Sequence, residues 1–352
     1  MLKKHQKFVL FHVLIILCLV CSCSFNIPKD SKVYIVGIGL NYNGVNQLEG
    51  TINDTAEFCT YYKYILDKKG IDNEVFYMLQ MVDPETNNDI TNYKSEYAPS
   101  KTNVKNLLNA FADGSSTHQK ITKNDLLVIY YSGHGSEASS IEDPERGAMN
   151  LMSYPNQTDY DIYPHKELIE DLKKIEGTVV VISDSCFSGH LAGEVSDVSA
   201  EINNGSAYND YGKKGSYSMN FGSLKSVSGI HVLAASQAAD YSYENKYSNN
   251  NIFNGEKHGL FTGYMLETMG LKHSDTVFGT IPSYVYDTTS NKTHSPPGNT
   301  SDVHGTVPSD DKIKRMRLTL NDILQNNKSL TMYNIEQKVV RNNGPCDIIL
   351  IW

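Results

Sequence analysis

Apolar positions along the chain fall into short continuous runs separated by stretches with helical spacing. Val33–Gly39 is an unbroken, β-branched-rich run, the pattern of a strand buried on both faces rather than one side only. In Asn53–Leu66, which follows, Ala56, Cys59, Tyr62 and Leu66 share one helix side. Thr51 or Asn53 is its expected cap, and Asp54 sits in the first turn, where negative charge suits the helix dipole. Val75–Leu79 predicts a second strand, Val104–Phe111 a helix, and Leu126–Ser132 the strongest strand, ended by Gly133-His134-Gly135. His165–Ile175 reads as a helix stopped by Gly177. Thr178–Ser183 is another buried strand, with Asp184-Ser185-Cys186 just past its end. Ile230–Ala235 predicts a strand and Gly259–Met269 an amphipathic helix. Leu318–Leu324 and Met332–Val340 read as helical, and Asp347–Trp352 as a closing strand. Residues 80–100 and 136–164 read as loop. Residues 194–227 and the Pro/Gly/Ser-rich stretch 272–312 lack an apolar period and are expected to be long mobile loops.

Strands alternating with helices predict an α/β fold with a mostly parallel sheet of about six strands, covered by helices on both faces. In such sheets reactive groups gather beyond the carboxyl ends of the strands. His134 and Cys186 both fall there, 52 residues apart, which leaves room for one crossover helix between neighbouring parallel strands. A cysteine nucleophile attacks as thiolate and needs a base, which a histidine can supply before returning the proton to a leaving amine. Gly135 lets backbone approach closely and could aim an N–H at a developing oxyanion.

Strand–Ser132-Gly133-His134-Gly135 followed by strand–Asp184-Ser185-Cys186-Phe187-Ser188-Gly189 resembles the caspase-like cysteine peptidases, in the metacaspase and orthocaspase branch rather than the animal caspases. The metacaspase stretch Leu-x-Gly-Cys-x-Asn-Asp-Ala reads Leu48-Glu49-Gly50-Thr51-Ile52-Asn53-Asp54-Thr55 here, with threonines for its Cys and its final Ala. The resemblance covers about residues 33–270 and implies a caspase-like (caspase–haemoglobinase) fold. It implies Cys186 as nucleophile, His134 as its partner, and the backbone N–H groups of Gly135 and Cys186 as the oxyanion hole. It also places Asp54 and Asp184 where the family binds the side chain before the cut. Two carboxylates there favour a peptide or protein substrate with Arg or Lys at that position. Members cut themselves after the nucleophile strand, and Lys213, Lys214 and Lys225 are the candidates in this chain. A clostripain- or legumain-like peptidase of the same fold, or an inactive caspase-like binding lipoprotein, remains the alternative. The chemistry requires no cofactor. Calcium, which activates some metacaspases, is left open: Asp159 and Asp161 alone do not make a site that wants six to eight oxygens. His118, His165, His190, His231, His258, His273, His294 and His304 show no ligand spacing, so surface or core roles suffice for them and the metal ligands stay unknown.

The N-terminus carries Lys3, Lys4 and Lys7, then an apolar run from Phe8 to Val20, too short for a comfortable membrane-spanning helix and typical of an export signal. Ser22-Cys23 resembles the end of a bacterial lipoprotein signal, which implies acylation of Cys23. The expected organisation is a signal peptide over 1–22, a tether over 23–32 and one peptidase domain over 33–352, in an exported, membrane-anchored bacterial lipoprotein. Composition narrows the field further. The 352 residues carry 31 Lys and Arg against 40 Asp and Glu, a net charge of −9. That argues against nucleic-acid partners, which need clustered positive charge. Cys59, Cys186 and Cys346 are too few and too scattered for a disulfide framework.

Overall fold

The structure, a computed structural model, describes residues 31–42, 47–81, 91–92, 95–137, 147–152, 160–191, 229–237, 241–245, 252–285, 302–332, 335–341 and 349–351. The signal segment with Cys23, the 194–227 loop with Lys213, Lys214 and Lys225, and Asp159 and Cys346 lie outside the described residues.

The strands are β1 (Val33–Leu40), β2 (Asn73–Gln80), β3 (Leu126–Ser132), β4 (Gly135–Ser136), β5 (Ala148–Leu151), β6 (Asp161–Pro164), β7 (Thr178–Asp184) and β8 (Gly229–Ala234), then β9 (Lys272–Thr280), β10 (Asp302–Thr306), β11 (Leu318–Thr319), β12 (Ser329–Met332), β13 (Ile335–Lys338), β14 (Val340–Arg341) and β15 (Ile349–Ile351). Helices are α1 (Thr51–Lys68), α2 (Lys101–Asp113), α3 (His165–Leu172), α4 (Leu260–Thr268), α5 (Asp310–Arg315) and α6 (Leu320–Asn327). A six-stranded sheet runs β14-β8-β7-β3-β1-β2. Its five long strands are parallel and only β14 is antiparallel. This is the expected caspase-like α/β sheet.

Two apolar layers sandwich the sheet. Along β1, Val33 and Ile35 face α1, α4 and α6, while Tyr34, Val36, Ile38 and Leu40 face α2 and α3. All these side chains are buried, so the run is continuous rather than alternating; each fully buried aliphatic is worth about 1.5–3 kcal/mol. Gly37 and Gly39 lie on the α1 side, where a Cβ would collide with Cys59 and Thr55. Helix α1 therefore packs directly on β1 and fixes the position of Asp54. Cys59 is a buried free thiol in this seam. Gly50, not Thr51 or Asn53, is the N-cap of α1, and Thr51 instead donates its hydroxyl to the Leu40 carbonyl (2.7 Å), tying helix to strand.

Several sequence expectations need correction. Met332–Val340 is not helical: β12 and β13 form a hairpin leading into β14, held where Gln337 accepts from Tyr243 N and donates to the Ala235 carbonyl. Helix α6 starts only at Leu320, after a Thr319–Asp322 capping box. The closing strand β15 pairs with β11, outside the main sheet. Part of 136–164 is a three-stranded sheet, β4-β5-β6. Residues 272–280 and 302–306, expected to be loop, form an antiparallel pair; apart from the His273 side chain β9 is half-exposed or exposed, so it shows no apolar alternation to betray it. Among the described residues no helix is long and apolar enough to cross a membrane.

Candidate active site

Strands β3 and β7 pair in parallel up to Ser132 opposite Asp184. His134 and Cys186 each lie two residues beyond that last pair, just past the ends of neighbouring strands. Gly133 N–H donates to the Asp184 carbonyl (3.3 Å), holding the two exits together. A Cβ on Gly135 would overlap the Cys186 carbonyl oxygen, so the backbones beside His134 and at Cys186 touch. Phe187 turns the chain with φ 57° into a short 3₁₀ turn over Ser188–His190.

His134 is framed by aromatic groups. Its N–H donates to Tyr42 Oη (2.8 Å), and its carbonyl accepts from Tyr131 Oη (2.6 Å) and Asn150 N–H (3.0 Å). The Tyr42 ring stacks obliquely on the imidazole at 4.6 Å between centroids, with Tyr160 at 5.9 Å. Cys186 is half-buried and donates its S–H toward the Ser242 carbonyl (3.7 Å). Burial, with the Asp184 carboxylate adding to it, raises the thiol above its ordinary value despite that contact. Cys186 thus rests as a thiol, and attack requires a base to take its proton.

Asp54 and Asp184 come together around Gly259, where a Cβ would clash with Asp184 and stand 3.0 Å from Asp54 Oδ2. Both carboxyls are buried. Asp54 accepts from Ser132 Oγ (2.9 Å), Gly259 N–H (3.0 Å) and the His258 imidazole (2.8 Å). Asp184 accepts from Ser242 Oγ, Thr262 N–H (3.1 Å) and Thr262 Oγ1 (2.6 Å). Burial, reinforced by the Asp54 charge, pushes Asp184 up to about 7. Asp161, weighed as a calcium ligand, instead accepts from Lys101 N–H at the start of α2 (2.8 Å).

Sequence reasoning missed Ser242, Thr262 and His258, which come from segments far from the motifs. Glu57, Glu256, His258 and His273 also meet in one buried cluster behind Asp54 with donor atoms within 4.8 Å of one another. The available signal was Glu57, one helical turn after Asp54, and the close pair Glu256 and His258.

Residues 35–194 match the family model for the metacaspase, peptidase C14 domain. This match supports a caspase-like protein of the metacaspase family. Over 171 residues the chain is 28% identical to Metacaspase-4 of Arabidopsis thaliana, covering 46% of this chain and 34% of that protein. The chain therefore spans about a third of the length of this curated relative. A solved structure, protein GSU0716 from Geobacter sulfurreducens, aligns over 67% of this chain and 81% of its own at 16% identity, with a TM-score of 0.39, too distant to inform the site. Both His134 and Cys186 lie within the metacaspase match. The Gly259 loop and the Glu57–His273 cluster draw on residues beyond it.

Proposed function

We propose that the protein is a cysteine endopeptidase that cuts after Arg or Lys, with Cys186 as nucleophile and His134 as its base. The observation that carries this reading is the shared register of β3 and β7, with the two backbones in contact at Gly135. In the reaction His134 takes the thiol proton as sulfur bonds to the scissile carbonyl carbon. The carbonyl oxygen gains negative charge, for which the N–H groups of Gly135 and Cys186 are the candidate donors. Collapse breaks the C–N bond, the amine leaves with the proton from His134, and water then hydrolyses the thioester. Asp54 and Asp184 supply two carboxylates for a cationic side chain. Export, acylation at Cys23 and self-cleavage at Lys213, Lys214 or Lys225 belong to the same proposal, supported by the sequence patterns alone.

A panel of fluorogenic peptides ending in Arg, Lys, Asn or Asp tests the specificity. Hydrolysis after Arg and Lys is expected. Asn preference points to a legumain-like enzyme, and no turnover, with or without calcium, to a binding protein. Asp184 is neutral below its raised value and charged above it, so KM for Arg substrates should fall as pH rises through about 7. Asp184→Asn should remove that step; an unchanged KM–pH profile would exclude Asp184 from substrate binding.

A further inference from the structure

The side chains of Glu57, Glu256, His258 and His273 converge behind Asp54 from three separate segments: α1, the loop before α4, and the start of β9. His258 Nε2 lies 3.5 Å from Glu57 Oε2 and 3.6 Å from Glu256 Oε2. His273 Nδ1 lies 3.8 Å from Glu57 Oε2 and 3.6 Å from Glu256 Oε2. None of these four atoms has a hydrogen-bond partner, although all are shut off from solvent. His258 is fully buried and Glu57 and His273 nearly so. Buried polar atoms that meet only at ion-pair distance, without hydrogen bonds, are costly and rare.

The spacings fit a missing centre. Four ligands at 2.0–2.1 Å around a tetrahedral ion stand about 3.3–3.4 Å apart, slightly closer than the four His–Glu distances; the Glu57–Glu256 and His258–His273 pairs lie within 4.8 Å. Each histidine also uses its other nitrogen as metal-ligating histidines do: His258 Nδ1 is 2.8 Å from Asp54 Oδ1, and His273 Nε2 is 3.2 Å from the Gly263 carbonyl. These contacts aim Nε2 of His258 and Nδ1 of His273 at the centre. Phe253 closes one side, its ring 5.6 Å from His258 and 4.8 Å from His273. Phe253 and Asn254 both adopt left-handed backbone (φ 53° and 55°) to place it, and strain of this kind concentrates at functional sites. A cleft of about 390 Å³ is lined by Phe253, Leu271 and His273.

We propose that Glu57, Glu256, His258 and His273 form a closed, tetrahedral site for a zinc-class divalent ion. Two imidazoles and two carboxylates suit zinc, and the two negative charges neutralise the dication in a buried setting. With no place left for water, the ion is structural: it clamps α1 to the loop before α4 and to β9. Through His258 it also orients Asp54, which makes His258 a positioning residue for the Gly259 loop. The site stands whether or not Cys186 is catalytic.

The test uses the full chain carrying no polyhistidine tag, purified and analysed for metal by mass spectrometry. About one zinc per chain is expected. Chelator-stripped protein reloaded with Zn²⁺ should regain that ion and a Tm higher by several degrees. Co²⁺ in its place should give the intense visible bands of a tetrahedral centre. His273→Ala and Glu256→Gln should each weaken zinc binding at least about 10-fold, while His118→Ala, at a histidine remote from the cluster, should not. If a variant fails to fold, the Co²⁺ spectrum of the unmodified chain decides. Less than about a tenth of an equivalent of zinc with no Tm shift overturns the site. So does a weak octahedral Co²⁺ spectrum, or binding unchanged in a folded His273→Ala.

Discussion

Cys186→Ala is expected to lower kcat/KM on an Arg-ending peptide by about 10⁴–10⁶-fold, because the covalent route disappears with the sulfur. The cost to stability should be small, within about 1 kcal/mol, since the thiol is half-buried and its contact to the Ser242 carbonyl is a weak S–H donor bond. His134→Ala should fall by a similar factor. The double variant should be no worse than either, as groups acting in one step are not additive. Turnover retained in the folded Cys186→Ala protein would exclude this thiol as nucleophile.

Gly135→Ala should be nearly as damaging, for a steric reason. The added methyl would overlap a backbone oxygen, that of Cys186, which cannot swing aside like the end of a side chain. Relief requires β4 to shift away from the turn after β7, separating the exits that carry His134 and Cys186. We expect at least a 100-fold loss of kcat/KM, appearing mainly in kcat, with a stability loss of about 1–3 kcal/mol, the usual range for overpacking. Kinetic assay and chemical denaturation of the same sample check both. Full activity with unchanged stability would mean that the two backbones stand farther apart than described.

The sheet was readable in the sequence because its strands are buried on both faces. Runs such as Leu126–Ser132 and Thr178–Asp184 contain nothing else to bury, and they end where His134 and Cys186 begin. The edges of the molecule were less legible. Strand β9 is half-exposed, so burial imposes no alternation on it. The hairpin β12–β13 is fixed by Gln337 reaching Ala235 and Tyr243, a contact across about a hundred residues that no local window contains. The same limit hid the surroundings of Asp54. Its place in the first turn of α1 is a local feature, but its bond to His258 joins residues 204 positions apart. Metal-ligand spacing in sequence could not reveal a cluster whose members sit at 57, 256, 258 and 273, because only the packing of α1 against β9 and α4 brings them together.

The most direct test of the peptidase site is to trap the nucleophile. The full chain is incubated with a peptidyl-arginine chloromethyl ketone, which alkylates the thiol that attacks it, and the modified residue is located by mass spectrometry. The predicted result is a single adduct on Cys186, formed at neutral pH and much more slowly in His134→Ala. An adduct on Cys59, or no adduct on Cys186 in protein that still cleaves peptides, would contradict it.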